Sequence, residues 1–139
     1  MQNIDQISIR DTCQSLSIRF GRLQDERKHD DLADLMTEDA TYVRLGEELR
    51  VSEFIAWIKT TPRNITRHVV TPTEIELLDS HTATGLTYYT IYLYGGDEEA
   101  PYPLAGPFVV GEYHETFKLT DRGWKIHRRE ARIVFRKAK

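Results

Sequence analysis

The feature that most constrains the fold is an abrupt change, near Pro62, from helix-forming to strand-forming sequence. Before Pro62, apolar residues recur at the spacing of one face of an α-helix. After Pro62 come four long segments with the β-branched and aromatic content typical of strands, namely residues 67–78, 82–94, 108–120 and 124–135. Helices followed by consecutive strands predict an α+β domain with its helices grouped on one face of a sheet.

The first half of the chain predicts three helices. An apolar stripe marks the first of them, over residues 5–28, and consists of Ile9, Cys13, Leu16, Phe20 and Leu23. The second helix, over residues 30–36, is short and begins with acidic residues, as the helix dipole favours. The third, over residues 53–60, follows Ser52, a residue type that caps helix N-termini, and ends before Pro62.

The remaining segments predict a curved sheet that would enclose a pocket. Residues 41–45 predict another strand, residues 46–48 a turn, and the acidic, proline-containing residues 95–106 a surface loop and candidate lid. In residues 82–94 both alternating sets of side chains are largely apolar or aromatic, so both faces of that strand should be covered. Because long strands twist and can curl, we expect a cone-shaped, strongly curved mixed or antiparallel sheet wrapped around the helices.

Size and composition exclude several classes of protein. The 139 residues fit a single domain, residues 1–139, which needs neither a disulfide nor a metal to fold. A formal net charge of −3 argues against nucleic-acid binding, for which domains are usually basic. Neither a membrane-spanning segment nor a signal peptide is recognisable. With one cysteine, Cys13, nothing indicates an oxidising compartment, so a cytoplasmic protein is expected.

Two residues would make a catalytic base if the fold brings them together. Asp25 lies near the end of the first helix, and His68 lies at the start of the strand-rich half. A carboxylate that orients an imidazole in an apolar cavity makes a general base, because it also stabilises the protonated ring. Each residue has an ordinary alternative. His68 would then be a strand histidine bonded to backbone or to a nearby acid, and Asp25 a solvated charge in the polar run 24–31.

Other side chains are weaker candidates. Four tyrosines could polarise a substrate carbonyl, although strand packing also explains each of them: Tyr42, Tyr88, Tyr92 and Tyr113. Arg129 could bind a carboxylate or an enolate, or could form an ion pair on its charge-rich strand. His114 should face away from Tyr113, because neighbouring strand residues point to opposite faces. The sequence has no metal-binding or phosphate-binding motif, so neither a metal nor another cofactor is predicted.

The residues around Asp25 resemble the opening of SnoaL-like proteins in the nuclear-transport-factor-2-like superfamily. Residues 20–42 share their pattern of an aromatic residue, a helix-terminal Asp, a short leucine-containing helix and the sequence Asp-Ala-x-Tyr. Residues 66–70 and 111–129 are also similar to SnoaL-like proteins, so the resemblance covers nearly the whole chain.

The resemblance implies a fold, a chemistry and an assembly. In scytalone dehydratase and hexachlorocyclohexane dehydrochlorinase, which are similar members, an Asp and a His at these positions form the catalytic base. By that likeness Asp25 is the orienting carboxylate and His68 the proton acceptor. The implied activity is that of a cofactor-free lyase or isomerase, of the dehydratase, double-bond isomerase or polyketide cyclase type. The tyrosine-rich segment 82–94 predicts a small, largely apolar substrate, with an aromatic or polyketide-like body as one option. The resemblance also implies a homodimer.

The chain also departs from these relatives, and other functions fit the same fold. Gln24 stands where scytalone dehydratase has a Tyr, and residues 82–94 contain no His, so scytalone itself is not expected as the substrate. One alternative is the β subunit of an aromatic-ring-hydroxylating dioxygenase, which would bind a larger iron-bearing subunit. The other is a ligand-binding cone without chemistry. A homodimer would use the outer face of strands 82–94 and 108–135.

Overall fold

A computed structural model describes residues 4–138, in which most of the helical structure precedes the strands. The elements in chain order are α1 (Ile4–Asp25), a 3-10 helix (His29–Leu35), β1 (Met36–Arg44), β2 (Glu47–Arg50), α2 (Val51–Lys59), β3 (Ile65–Val70), β4 (Glu74–Leu77), β5 (Thr82–Tyr94), β6 (Val109–Thr120) and β7 (Gly123–Arg136). Residue 139 and residues 1–3, to which the signal-peptide expectation partly refers, lie outside the described residues. Across residues 4–138, none of the helices combines the length and the apolar character needed to span a membrane.

The seven strands form one curved, unclosed mixed sheet. Its order is β2-β1-β7-β6-β5-β3, and β4 pairs with β5 beyond the end of β3. Among the described strands, β1 and β7 pair in parallel and the other neighbours are antiparallel. Helix α1 packs against β3, β4 and β7. The predicted α+β class, with helices first and a curved mixed sheet after them, is confirmed.

Strand alternation builds the core between the helices and the concave face of the sheet. In β6, every second residue from Val109 to Phe117 is buried, while the residues between them are only partly covered. The main apolar cluster joins α1, the 3-10 helix, β1, α2 and three strands of the sheet: Cys13, Phe20, Leu32, Leu35, Met36, Ala40, Tyr42, Phe54, Ile58, Ala83, Phe117 and Ile126. Each fully buried large side chain stabilises the fold by roughly 1.5–3 kcal/mol. This cluster therefore holds α1 against the sheet.

All three predicted helices differ in bounds or geometry. The third, α2, begins at Val51 after the N-cap Arg50, so Ser52 is not its N-cap. Helix α1 ends at Asp25 rather than residue 28, because Arg27 adopts a left-handed backbone conformation with φ 55. The amide of Lys28 then donates to the carbonyl of Leu23 at 2.9 Å, and that of Arg27 to Gln24 at 3.0 Å. These are the two bonds of a Schellman helix end. The second predicted helix is a 3-10 helix, one residue earlier than expected.

Several strand predictions also need correction. The strand predicted over residues 41–45 begins five residues earlier, at Met36. The predicted strand over residues 67–78 is two strands, β3 and β4, because Pro72 has no amide hydrogen to offer the ladder. The predicted turn over residues 46–48 lies one residue earlier. Leu45 and Gly46 both have positive φ, 49 and 77. Two consecutive residues with positive φ form the tight turn of a β-hairpin, so Glu47 is already the first residue of β2.

Candidate active site

The end of α1 and the middle of β3 bring Asp25 and His68 together from positions 43 residues apart. Gly21 makes the approach possible, since a Cβ at that residue would lie only 2.9 Å from the Cβ of His68. Alternation in β3 then gives Thr66, His68 and Val70 the more buried positions on the strand. The close crossing of α1 over β3 therefore places the imidazole against the last turn of the helix.

The Asp25 carboxylate is hydrogen-bonded at both oxygens. Its Oδ1 accepts from Nδ1 of His68 at 2.6 Å and from the Thr66 hydroxyl at 2.9 Å. Its Oδ2 accepts from the backbone amide of His68 at 3.0 Å. Burial raises the pKa of the Asp25 carboxyl, but the hydrogen bonds that it accepts from the His68 ring, the His68 amide and Thr66 outweigh burial and leave the pKa below its usual value. Asp25 is therefore an anion at neutral pH, and Nδ1 of His68 carries the proton it donates.

The other ring nitrogen of His68 is left to act on a substrate. No residue in the described range hydrogen-bonds Nε2, and His68 lines a cavity of about 280 Å³. Asp25 does not line this cavity, but it lines with His68 a second hollow between α1 and β3. An imidazole whose Nδ1 is held by a carboxylate has its Nε2 lone pair free, which is the arrangement of a general base.

The cavity is lined mainly by aromatic and aliphatic side chains. Its most buried residues are aromatic, and they stack in pairs: Tyr42 with Phe54 at 3.9 Å between ring centroids, and Tyr89 with Tyr113 at 4.0 Å. Its more exposed lining residues, which mark the rim, are also apolar: Leu45, Trp57, Phe108 and Ile133. A cavity of this size and lining suits a small, largely apolar or aromatic molecule.

The tyrosines divide between the cavity and the outside of the sheet. Tyr42 and Tyr113 line the cavity, and burial raises the pKa of both although the nearby charge of Arg129 opposes it. Both hydroxyls are therefore protonated hydrogen-bond donors at neutral pH. Tyr88 and Tyr92 do not line the cavity, although the sequence suggested them as substrate-binding residues. The alternation of β5 turns Tyr89 into the cavity and these two tyrosines away from it. Tyr88 is 56% exposed, and Tyr92 lines a separate shallow groove.

Arg129 is fully buried in an ion pair rather than exposed to the cavity. Its Nη1 donates to Glu115 at 2.7 Å, and the Ser17 hydroxyl donates to the other oxygen of Glu115, also at 2.7 Å. The guanidinium lies over the ring of Tyr113, 3.7 Å from its centroid. Burial acts to lower the pKa of Arg129, but Glu115 outweighs it and the pKa is raised. Arg129 therefore keeps a positive charge behind the ring of Tyr113.

The sequence interpretation did not identify Glu115, Ser17 or three further polar residues at the cavity. Glu115 had a detectable signal, since it alternates with Tyr113 and Phe117 on a face otherwise apolar. The cavity residues are Arg27, His29 and Arg44. His29 is buried, and neither ring nitrogen has a hydrogen-bond partner among residues 4–138. Nothing in a single sequence distinguishes these three from surface charges.

Metal-ligand side chains are scattered over the chain. Over the described part, no three His, Cys, Asp or Glu side chains lie close enough together to hold a metal ion. His114 lies on the outer side of β6, where its Nε2 pairs with Glu112 at 2.8 Å. This is the face expected for it.

The curved sheet and the cavity it encloses define a cystatin-like fold of the kind found in NTF2-like proteins. An NTF2-like protein with this fold from Novosphingobium aromaticivorans has a TM-score of 0.76 at 20% identity, with 99% of this chain and 94% of that chain covered. A provisionally assigned scytalone dehydratase from the same organism has a TM-score of 0.74 at 20% identity, covering 90% and 83%. A type 2 hexachlorocyclohexane dehydrochlorinase has a TM-score of 0.80 at 14% identity, covering 98% and 92%.

The family is shown by the sequence itself. Residues 5–130 match the SnoaL-like domain, and the chain belongs to that family. This confirms the resemblance predicted from residues 20–42, 66–70 and 111–129. Among curated proteins, none matches this sequence.

Proposed function

We propose that this protein is a cofactor-free lyase or isomerase in which His68 acts as the general base. The observation that carries the proposal is the 2.6 Å bond from Nδ1 of His68 to Asp25, in a residue that lines the cavity and has no hydrogen bond at Nε2 among residues 4–138. Nε2 would remove a proton from a carbon next to a carbonyl or a leaving group, and Asp25 would stabilise the imidazolium that forms. A positioned base of this kind accelerates proton transfer by roughly 10²–10⁴-fold.

The electron pair released from the carbon has three possible fates in such a site. It forms a double bond as water or another leaving group departs, it shifts an existing double bond, or it attacks a second carbonyl in an intramolecular aldol closure. In each case the proton on Nε2 is returned to the leaving group, to another carbon or to the new alkoxide. Dehydratase, isomerase and cyclase activities therefore require the same base.

Charge that develops on a substrate oxygen would be stabilised by Tyr42 and Tyr113. Both line the cavity and remain protonated at neutral pH, so each has a hydroxyl to donate. Arg129 would act through Tyr113, whose ring it covers, rather than by touching the substrate. The names of two proteins of the same fold, a dehydratase and a dehydrochlorinase, describe eliminations, which agrees with this chemistry.

The test is proton exchange and turnover with a panel of small aromatic ketones in deuterium oxide, followed by NMR. The panel would include β-hydroxy ketones for elimination and β,γ-unsaturated ketones for double-bond migration. We expect deuterium at the acidic carbon and accumulation of product, and we expect His68→Ala to abolish both in a protein that still unfolds cooperatively, although the lost bond to Asp25 lowers its melting temperature. His81→Ala is the control, because His81 is exposed in the turn before β5. Full activity in His68→Ala would disprove the mechanism.

Two alternatives have different experimental signatures. A dioxygenase β subunit would co-purify with a larger iron-bearing subunit, and a ligand-binding cone would bind its ligand without proton exchange. The contact of Asp25 with His68 at the cavity favours an enzyme over both, since neither alternative needs a base. A cytoplasmic homodimer stays a prediction. Its proposed interface is the outer face of β5 to β7, which includes the exposed Tyr88, and light scattering would test it.

A further inference from the structure

The lining of the cavity differs in charge from the rest of the chain. The protein has 22 acidic and 19 Lys or Arg residues, yet none of the residues that line the cavity is Asp or Glu. The lining does include Arg27 and Arg44. Cations in a largely apolar cavity attract anions more strongly than cations at an open surface. The cavity is therefore suited to a negatively charged ligand.

Arg27 is held at the cavity by its unusual place in the chain. It occupies the left-handed position that ends α1, with φ 55, where glycine is the usual residue. Its guanidinium spans to the segment after α2 and donates to the carbonyls of Pro62 at 3.3 Å and Thr61 at 3.4 Å. An arginine has five N–H donors, so these two long bonds leave donors for a ligand. No described carboxylate lies within 4 Å of Arg27.

Arg44 has a single, long ion pair with an exposed carboxylate among the described residues. Its guanidinium stacks over the Trp57 ring, 3.9 Å from the centroid, and its nearest acid, the exposed Glu47, is 3.9 Å away. By contrast, Arg129 and Arg132 on β7 meet carboxylates at 2.7 and 3.0 Å. A guanidinium stacked on an aromatic ring keeps its edge free for a planar, two-bond contact with a carboxylate.

The state of His29 agrees with a positive field in this part of the cavity. Burial lowers the pKa of His29, and the charges of Arg27 and Lys59 lower it further. The ring is therefore neutral at physiological pH. It can add a hydrogen bond to a ligand but contributes no charge of its own.

We propose that the substrate is an organic carboxylate with an apolar or aromatic body, and that its carboxylate is bound by Arg27 and Arg44. The body would lie against the aromatic lining, with the reacting carbon at Nε2 of His68. The position of the reacting carbon rests on the proposed function. The binding of the carboxylate does not, because it depends on the arginines alone.

The test compares a neutral and a charged probe of the same shape. We would measure the binding of 4-phenylbutanoate and of 4-phenylbutanamide by calorimetry, with tryptophan fluorescence in a Trp124→Phe background, where Trp57 at the cavity is the remaining tryptophan, as a second signal. We expect the acid to bind about tenfold more tightly, because hydrogen bonds to a charged partner are roughly twice as strong as neutral ones. Added salt should weaken the binding of the acid more than that of the amide.

Variants assign the preference to the two arginines. Arg27→Gln and Arg44→Gln should each reduce the preference for the acid over the amide. The corresponding Lys variants should keep part of this preference, because they keep the positive charge, and a merely structural role of the arginines would not explain that result. Arg122→Gln is the matched control, because Arg122 is exposed in the turn between β6 and β7. Equal binding of acid and amide, or an unchanged preference in both Gln variants, would overturn the proposal.

One further variant separates this proposal from the proposed function. His68→Ala should keep the preference for the acid while it loses proton transfer. A preference for the acid in a protein without catalysis would support the carboxylate site and refute the lyase. Catalysis on neutral ketones without any preference for the acid would support the lyase and refute the carboxylate site.

Discussion

His68 donates two hydrogen bonds to the Asp25 carboxylate, one from its backbone amide at 3.0 Å and one from its ring at 2.6 Å. The backbone bond fixes the carboxylate relative to β3, and the ring bond fixes which nitrogen of the imidazole carries the proton. Because both bonds reach one acid, the base is oriented by the strand itself. A catalytic group positioned in this way needs little reorganisation when it reacts.

Asp25→Asn should weaken both catalysis and folding, and the effect on folding should depend on pH. The folded-state pKa of Asp25 is lowered, so ionised Asp25 stabilises the fold above its unfolded pKa of about 3.9, and that contribution is lost as the pH falls through the folded value. The difference in unfolding free energy between wild type and variant should therefore be largest at neutral pH and shrink in acid. Urea unfolding at several pH values measures this, and a difference independent of pH would contradict it.

Glu115→Ala should be among the most destabilising single changes. Removing Glu115 leaves the buried charge of Arg129 without its carboxylate, which typically costs about 3–5 kcal/mol. Glu115→Gln should cost less, since an amide oxygen can still accept from Arg129. The control is Glu48→Ala, which removes an exposed carboxylate from Arg128 and should cost less than about 1 kcal/mol. Similar losses for Glu115→Ala and Glu48→Ala in urea unfolding would show that the buried pair is not important to stability.

Gly21→Ala should destabilise the protein although alanine is the better helix former. The change would normally stabilise a helix by about 0.5–1 kcal/mol. Here the new Cβ would lie 2.9 Å from the Cβ of His68, so α1 and β3 must separate, at a cost of roughly 1–3 kcal/mol. Ser15→Ala, on the exposed side of α1, should be nearly neutral. A thermal melt of both variants decides the matter, and a more stable Gly21→Ala would be the contrary result.

Cys13 should resist alkylation while the protein is folded. Burial raises the pKa of its thiol to about 12, and the charge of Glu115 adds to the effect. At pH 8 only about one thiol in 10⁴ would then be ionised, and the thiolate is the reactive form. Iodoacetamide labelling followed by mass spectrometry should show modification in urea and almost none without it. Rapid labelling of the native protein would show that the thiol is accessible.

Tyr113→Phe should slow turnover far more than Tyr88→Phe. Loss of one donor to a developing oxyanion typically reduces kcat by about 10²–10³-fold. Tyr113 lines the cavity, whereas Tyr88 lies on the outer face of β5. Each variant removes one tyrosine hydroxyl, and the two tyrosines lie on neighbouring strands. The ratio of their kcat values therefore reports the effect of the position of the hydroxyl. Equal rates on a substrate from the ketone panel would remove Tyr113 from the mechanism.

The contact of Asp25 with His68 was predictable only through the frame of motifs around it. Read alone, Asp25 is one of several charges in a polar run, and no local pattern reports that α1 crosses β3 at Gly21. The resemblance of residues 20–42 to SnoaL-like proteins supplied that information. The strand register was harder to predict where both faces carry aromatic residues. In β5 the period of two cannot decide between Tyr88 and Tyr89, so the sequence does not show which set of side chains faces the cavity.

The ion pair of Glu115 with Arg129 escaped prediction for a different reason. Alternation puts Glu115 on the buried face of β6, but its partner depends on how β7 aligns with β6. The register shifts near His127, so Ile126 and Arg129 both face inward although they are three residues apart. A bulge of this kind leaves no clear mark in the sequence, and without it Arg129 counts as one of many charges on the strand.

The parallel pairing of β1 with β7 has a consequence for how the chain folds. The hydrogen bond between Thr37 and His127 joins residues 90 positions apart, and β1 lies between β2 and β7 in the sheet. A topology with such distant contacts folds slowly compared with a helical bundle of the same size. During synthesis on the ribosome, β1 and β6 each keep one strand edge unpaired until β7 has been made, because β7 lies between them in the sheet. A nascent chain that stalls before residue 123 would therefore expose two strand edges with unpaired backbone groups. We expect such a chain to aggregate or to recruit a chaperone.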